Sequence, residues 1–327
     1  MKKPALPALF ALIALLFSAC SPSPAAVTVG TARADAAEYA FYVHHNVQTI
    51  ESDYGYVPNG IYPAEITDAV KADALDQLVT AQVVRLKCRE FGLKLTNEET
   101  EQLKTDKQEL IDSLGGKYAF LGYLRESALT DRTYDSFAEN ALYYNKLYDY
   151  VAQHDESIDS DEELRRFFAE NYITVKYIRL GTSGDEASYT PEDAASLAED
   201  ILREAKEGKI TFEELMETYN DDPMMSLNPE GIVIGIMESR GSTYLEGAFT
   251  LAENEVGGVY TAPDGLYVVK RLPVSASYFD ENRDAIHESV IEWKYSQQLE
   301  EWKTQTTVTT SSVYKKINLE NYMDYVK

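Results

Sequence analysis

The chain has 327 residues, with 30 Lys and Arg against 55 Asp and Glu, a formal charge of −25. A charge of this sign repels phosphate, and no clustered Lys/Arg stripe reverses it locally, so nucleic acid is excluded as a partner. The length exceeds what one core normally supports, which predicts two domains; two cysteines, Cys20 and Cys88, allow no internal disulfide once Cys20 carries another group, and the fold must then rest on its core.

Met1-Lys2-Lys3 precedes an apolar run from Ala5 to Phe17, which ends in Ser18-Ala19-Cys20. The run is shorter than the about 20 residues a spanning helix needs, and the small pair suits a peptidase cleft, so residues 1–19 are expected to be a cleaved signal peptide. Cysteine after that pair resembles the bacterial lipobox, with Phe17 where leucine is usual. The resemblance implies lipidation at Cys20 and an extracytoplasmic protein held to the cell membrane by its lipid anchor. Loss of Lys2 and Lys3 leaves 28 basic against 55 acidic side chains, a charge of −27, which favours solubility and basic clients. Ser21-Pro22-Ser23-Pro24-Ala25-Ala26 favours extended backbone, and residues 20–34 are expected to form a tether.

From Asp35 to Gln153 the pattern is helical. Leu75, Leu78, Val79, Val83 and Leu86 recur at three- and four-residue steps, with Gly92 where that helix would end. Cys88 falls inside this stretch and reads as a small buried hydrophobe. Thr96-Asn97-Glu98-Glu99 is a capping box, and further helices are expected around Phe120–Leu124 and from Tyr134 to Val151. Ser160-Asp161-Glu162-Glu163 reads as a second box, opening a helix with Leu164, Phe167 and Phe168.

The period then changes. Ile173 to Leu180 is rich in β-branched and aromatic residues and predicts a strand buried on both faces. Thr190-Pro191 starts a helix that Gly208 stops, and Thr211-Phe212-Glu213-Glu214 caps another, ended by Asp222-Pro223. Gly231–Met237 predicts a short strand and Tyr244–Leu251 a short helix. Val259–Ala262 and Leu266–Leu272 flank Pro263-Asp264-Gly265 and predict a hairpin. From Asp280 to Lys303 the helical period returns, with Ile286, Val290, Trp293, Leu299 and Trp302 as anchors.

Three stretches carry a family resemblance. Phe212-Glu213-Glu214-Leu215 through Tyr219-Asn220-Asp221-Asp222, Ala248-Phe249-Thr250-Leu251 with Val256-Gly257, and Gly265-Leu266-Tyr267-Val268-Val269-Lys270 are similar, in order and spacing, to the parvulin (rotamase) domain. With the flanking helices and the lipoprotein signal, nearly the whole chain resembles PrsA-type foldase lipoproteins and, more distantly, SurA-type chaperones. The resemblance implies an α+β fold: a helical chaperone domain formed from both chain ends, residues 35–170 and 275–327, with an inserted parvulin-like βαααβαββ domain at 171–274. It implies a foldase or chaperone that assists newly exported, unfolded polypeptides, with peptidyl-prolyl cis-trans isomerase as the activity of the inserted domain and no cofactor.

Proline isomerisation breaks no bond to the substrate; the barrier of about 18–20 kcal/mol is loss of amide resonance. The site needs an apolar pocket, exclusion of water and hydrogen-bonding groups. The resemblance places Tyr177 and Tyr267 where the family has two histidines, and Asp222 at its Cys/Asp position. Tyr244 and Phe249 fall on the pocket aromatics and Arg240 on a pocket methionine. The site therefore looks eroded, although a phenol both donates and accepts and two tyrosines could serve as a pair; they also fit as core aromatics on adjacent strands, and Asp222 as a helix-ending residue. The alternative functions are a non-catalytic holdase and an envelope scaffold with one fixed partner. His44-His45 is expected as a surface pair, since adjacent helical residues point about 100° apart, and no metal is assigned.

Overall fold

The computed structural model describes residues 25–54, 62–184 and 187–326. The expected signal peptide, Cys20 and the first part of the tether lie outside the described residues. In chain order the elements are β1 (Ala25–Val29), β2 (Ala32–Asp35), α1 (Ala36–Tyr54), α2 (Ala64–Glu90), α3 (Asn97–Ser113), α4 (Lys117–Glu126), α5 (Asp131–His154) and α6 (Asp161–Asn171). Then come β3 (Tyr172–Gly181), α7 (Pro191–Glu207), α8 (Phe212–Tyr219), α9 (Pro223–Leu227), β4 (Ile232–Gly235), α10 (Thr243–Phe249), β5 (Val256–Ala262) and β6 (Gly265–Leu272). The chain closes with α11 (Ala276–Glu281), α12 (Arg283–Gln305), β7 (Val308–Thr310), α13 (Ser312–Lys316) and a 3-10 turn at Tyr322–Tyr325. The fold is α+β, and the order from β3 to β6 is the expected βαααβαββ. No helix among the described residues is long and apolar enough to cross a membrane.

Two compact units divide the chain: residues 1–144 with 302–327, and residues 145–301. The first is mainly helical and draws on both chain ends. Tyr39, Ala40 and Val43 of α1 and Val70, Ala74 and Leu78 of α2 are buried, and the Tyr39 phenol donates to the Lys71 carbonyl at 3.1 Å. Phe120, Leu124 and Leu129 form a second cluster with Phe41, Ile111, Tyr134 and Phe137. Trp302 packs with Phe91 at 5.8 Å between ring centroids, and the Lys87 ammonium lies 5.3 Å from the Trp302 ring, a cation–π contact. Cys88 is buried, as its place in the helical period predicts. His44 differs from the expected surface residue: it is half-buried, with Nδ1 3.0 Å from the Tyr322 hydroxyl.

Part of the expected tether is folded. From Ala25 the chain forms a hairpin, and β1 lies between β2 and β7, antiparallel to both. Val27 and Val29 are buried, and Gly30 turns the chain at φ +54°, where its N–H donates to the Thr307 carbonyl at 2.8 Å. The segment is short, alanine-rich and adjacent to prolines, so its alternation is a weak signal in sequence.

The second unit carries a four-stranded antiparallel sheet in the order β4-β3-β6-β5. Ile173, Val175, Ile178 and Leu180 of β3 pack with Ala194, Ala198 and Ile201 of α7 and with Phe212 and Leu215 of α8. A separate cluster joins Leu164, Phe167 and Phe168 of α6 to Tyr172 at the head of β3, Phe279 of α11 and Ile286, Val290 and Ile291 of α12. This shared core groups α6, α11 and most of α12, read in the sequence with the helical module, with the sheet. The boxes at Thr96/Glu99 and Thr211/Glu214 close reciprocally. At Ser160 only the serine half forms, because the Glu163 carboxylate pairs with Arg166.

A carboxyl is buried in the helical unit. Glu38, 4% exposed, sits in the first turn of α1, where Gln82 Nε2 donates to its Oε1. Burial, then the charge of Asp35, pushes its pKa from 4.5 up to about 7, against Arg85, Arg132 and the Gln82 bond. A carboxyl whose folded pKa is raised binds more protons folded than unfolded, so stability falls as pH rises from about 4.5 to about 7 and is level above that. Glu38→Gln should remove this slope and be more stable than wild type above pH 7, by up to about 3 kcal/mol, in urea unfolding across pH. Parallel wild-type and variant profiles would contradict the assignment.

Candidate functional site

The centre of the β unit is built by the β3–β6 register. Arg179 of β3 lies directly opposite Tyr267 of β6, and Tyr177 lies opposite Val269. Because side chains alternate, Tyr177, Arg179, Tyr267 and Val269 share one face, and the diagonal pair Tyr177 and Tyr267 meets at 5.4 Å between centroids. Tyr244, from α10, stacks on Tyr267 at 4.0 Å with ring planes 6° apart, and meets Tyr177 edge-on at 5.4 Å. Tyr177 is 3% exposed and Tyr267 4%, so the three rings fill the space between them.

Each buried phenol has a carboxylate. Tyr177 donates to Asp222 Oδ2 at 2.7 Å, and Tyr267 donates to Asp264 Oδ2 at 2.8 Å in the β5–β6 turn. Asp222 is also the N-cap of α9, where Oδ1 accepts from the Met224 N–H at 2.8 Å, so its helix-ending role and its tyrosine contact coexist. The Arg179 guanidinium lies 3.3 Å from Asp264 and 3.6 Å from Asp221. Burial, and then the bonds to these carboxylates, push the Tyr177 and Tyr267 pKa values well above the usual phenol range. Both stay neutral through the physiological range.

The segment before α9 is sewn to β3. Since β4 pairs only with Tyr172–Val175, the far half of that edge would leave amides open. Asn220 Oδ1 accepts from the Arg179 N–H at 2.8 Å and Asp221 Oδ2 from the Gly181 N–H at 2.7 Å, while the Asp221 N–H donates to the Arg179 carbonyl at 3.2 Å.

Of the six residues singled out in the sequence, Tyr177, Asp222, Tyr244 and Tyr267 come together. Phe249 is half-buried on α10 and packs on the same core. Arg240, expected to line the pocket, is exposed and instead donates to Ser296 Oγ at 3.0 Å. Its neighbours Ser239 and Gly241 belong to a turn rather than a strand, so alignment by strand order misplaces it. Sequence reasoning missed Arg179, Asp221 and Asp264. Arg179 was findable, being two residues from Tyr177 on an alternating strand, and Asp264 stood in the recognised turn. Among the described residues no group of three His, Cys, Asp or Glu side chains is placed to hold a metal.

Cavities occur elsewhere. In the helical unit one of about 890 Å³ is bounded by Leu121, Leu124, Leu129, Arg132 and Val313, and another of about 690 Å³ by Leu103, Lys107, Ile111 and Phe120.

The chain matches no protein-family model. No curated protein matches it. Among solved structures it is similar to the foldase protein PrsA of Streptococcus pneumoniae, at 17% identity over 74% of this chain and 88% of that one, with a TM-score of 0.36. The peptidylprolyl isomerase PrsA of Bacillus anthracis is 15% identical over 71% of this chain and 97% of its own, at a TM-score of 0.34. The foldase protein PrsA of Lactococcus lactis is 14% identical over 93% and 99%, at 0.29.

The paired phenols make a direct prediction. Tyr177→Phe leaves Asp222 capping α9 but removes its tyrosine donor, and should lower unfolding free energy by about 1–2 kcal/mol. The phenolate absorbance of wild type and of the Tyr177→Phe/Tyr267→Phe variant should coincide through about pH 10, since neither phenol ionises there. A larger wild-type signal near pH 10 would show that the pair is open to solvent.

Proposed function

We propose that this chain is an extracytoplasmic foldase-type chaperone, tethered through lipid on Cys20, that holds unfolded exported polypeptides. Its helical module does the holding, and its parvulin-like module binds without accelerating proline isomerisation. The observation that carries the reading is the face of α4. Phe120 and Leu124 anchor the helix, while Tyr118, 94% exposed, and Leu121 stand one turn apart on its outer side, with Tyr123 also exposed. Leu121 continues into the wall of the cavity of about 890 Å³. Large apolar groups on a surface beside a concave wall favour contact with other apolar chains, and tyrosine does this for varied partners at modest entropic cost.

A catalytic reading has its own support, since Tyr177 and Tyr267 share one face of adjacent strands and the Tyr177 hydroxyl donates to Asp222 at the cap of α9. Against it, an isomerase needs room for a proline ring beside its polar groups, and here Tyr244 occupies that room while both phenols are engaged by carboxylates. Burial pushes the phenols of Tyr177, Tyr244 and Tyr267 above the usual phenol range, away from the range near pH 6.5 in which a histidine pair titrates.

Suppression of aggregation of a chemically unfolded client, followed by light scattering, tests the holding role. Tyr118→Ser/Leu121→Ser, at exposed positions, should leave the fold intact and raise the concentration needed for half-suppression by about fivefold or more. Unchanged suppression, or none by the wild type, would overturn the reading.

A further inference from the structure

The two units differ sharply in charge. Residues 145–301 hold 34 acidic and 13 basic side chains, a net −21, whereas residues 25–144 and 302–327 hold 21 acidic and 15 basic, a net −6. Within the acidic unit one stretch is extreme: from Ile210 to Ser239 there are seven carboxylates and no lysine, arginine or histidine. Cations from other elements answer part of this. Lys176 and Lys270 lie 3.0 and 3.2 Å from Glu213, and Arg179 lies beside Asp221. Glu217 and Glu230 are exposed, and neither forms an ion pair among the described residues.

The same stretch exposes apolar side chains on a rigid support. α9 is fixed by Met225, which is buried, by Pro223 in its first turn and by the Asp222 cap. Met224 and Leu227, three residues apart and so on one side of the helix, are 48% and 78% exposed. Exposed methionine beside leucine is suited to apolar partners of varied shape, since the thioether is polarizable and its chain adaptable. Carboxylates around such a patch repel an acidic partner and attract a basic one, which gives selection as well as contact.

We infer that the outer face of α9, Met224 and Leu227 with the exposed Glu217 and Glu230 before and after it in the chain, is a docking surface for basic, apolar segments of unfolded polypeptide. The inference rests on the client-binding reading above and adds a second contact, with its own chemistry, on the β unit. Approach is steered by the −21 charge of this unit and is weakened by salt; the final contact buries the two apolar side chains.

The test uses the full chain and two fluorescent peptides identical except that leucines and a phenylalanine are flanked by lysines in one and by glutamates in the other. The lysine peptide should bind in fluorescence anisotropy, and more weakly as salt shortens the Debye length from about 10 to about 3 Å; the glutamate peptide should not bind. Met224→Ser/Leu227→Ser should weaken the lysine peptide about tenfold. Glu217→Gln/Glu230→Gln, which touches no core residue, should flatten its salt dependence. Equal binding of the two peptides, no binding of the lysine peptide, or binding indifferent to the α9 variant would overturn the inference. Loss on Tyr118→Ser/Leu121→Ser instead would also overturn it while leaving the holding role of the helical unit standing, and failure of that role shows separately in the light-scattering assay.

Discussion

The bond from Tyr177 to Asp222 fixes more of the β unit than its 2.7 Å suggests. A phenol buried on β3 without an acceptor would cost about 1–3 kcal/mol, so the chain must bring one to it. The acceptor comes from the cap of α9, and the two residues before it close the open edge of β3. One short run, Asn220-Asp221-Asp222, thus satisfies a buried hydroxyl, pairs strand amides and starts a helix. The position of α9, and the direction in which Met224 and Leu227 face, follow from that anchoring.

Tyr267 and Asp264 repeat the arrangement on the next strand, and Tyr244 stacks between the two systems. Two phenols held neutral by burial and by their carboxylate acceptors, with a third ring packed against both, make an aromatic core. Such a centre stabilises a sheet and leaves its surroundings to make contacts with other chains. On our reading binding takes place instead at the exposed apolar face of α9 and at the exposed aromatic face of α4.

Much of this was legible in the sequence. The change of period at Ile173, the capping residues at Thr96, Thr190 and Thr211 and the Pro263-Asp264-Gly265 turn are local signals, and each lies where the structure has the corresponding element. The hairpin at Ala25–Asp35 was not legible, because its strands are short and alanine-rich, and the strand that completes the sheet, β7, is almost three hundred residues away. Long-range pairing leaves little local trace when the strands are short. Arg240 shows the complementary limit: it lies in a turn rather than a strand, so strand order misplaces it, and its side chain reaches Ser296 on α12. The partition of α6 and α12 is likewise a matter of shared core, set by contacts among Phe167, Tyr172, Phe279 and Val290 that no single segment encodes.

The central claim is that the tyrosine-filled centre binds no proline ring and so does not lower the isomerisation barrier. It is tested most directly by exchange spectroscopy on a short X–Pro peptide, comparing cis–trans interconversion with and without the full chain, and with Tyr244→Ala and Asp222→Ala variants. The account predicts that the wild-type chain leaves interconversion at its uncatalysed pace of tens to hundreds of seconds. Clear acceleration by the wild type, abolished by Asp222→Ala, would contradict it.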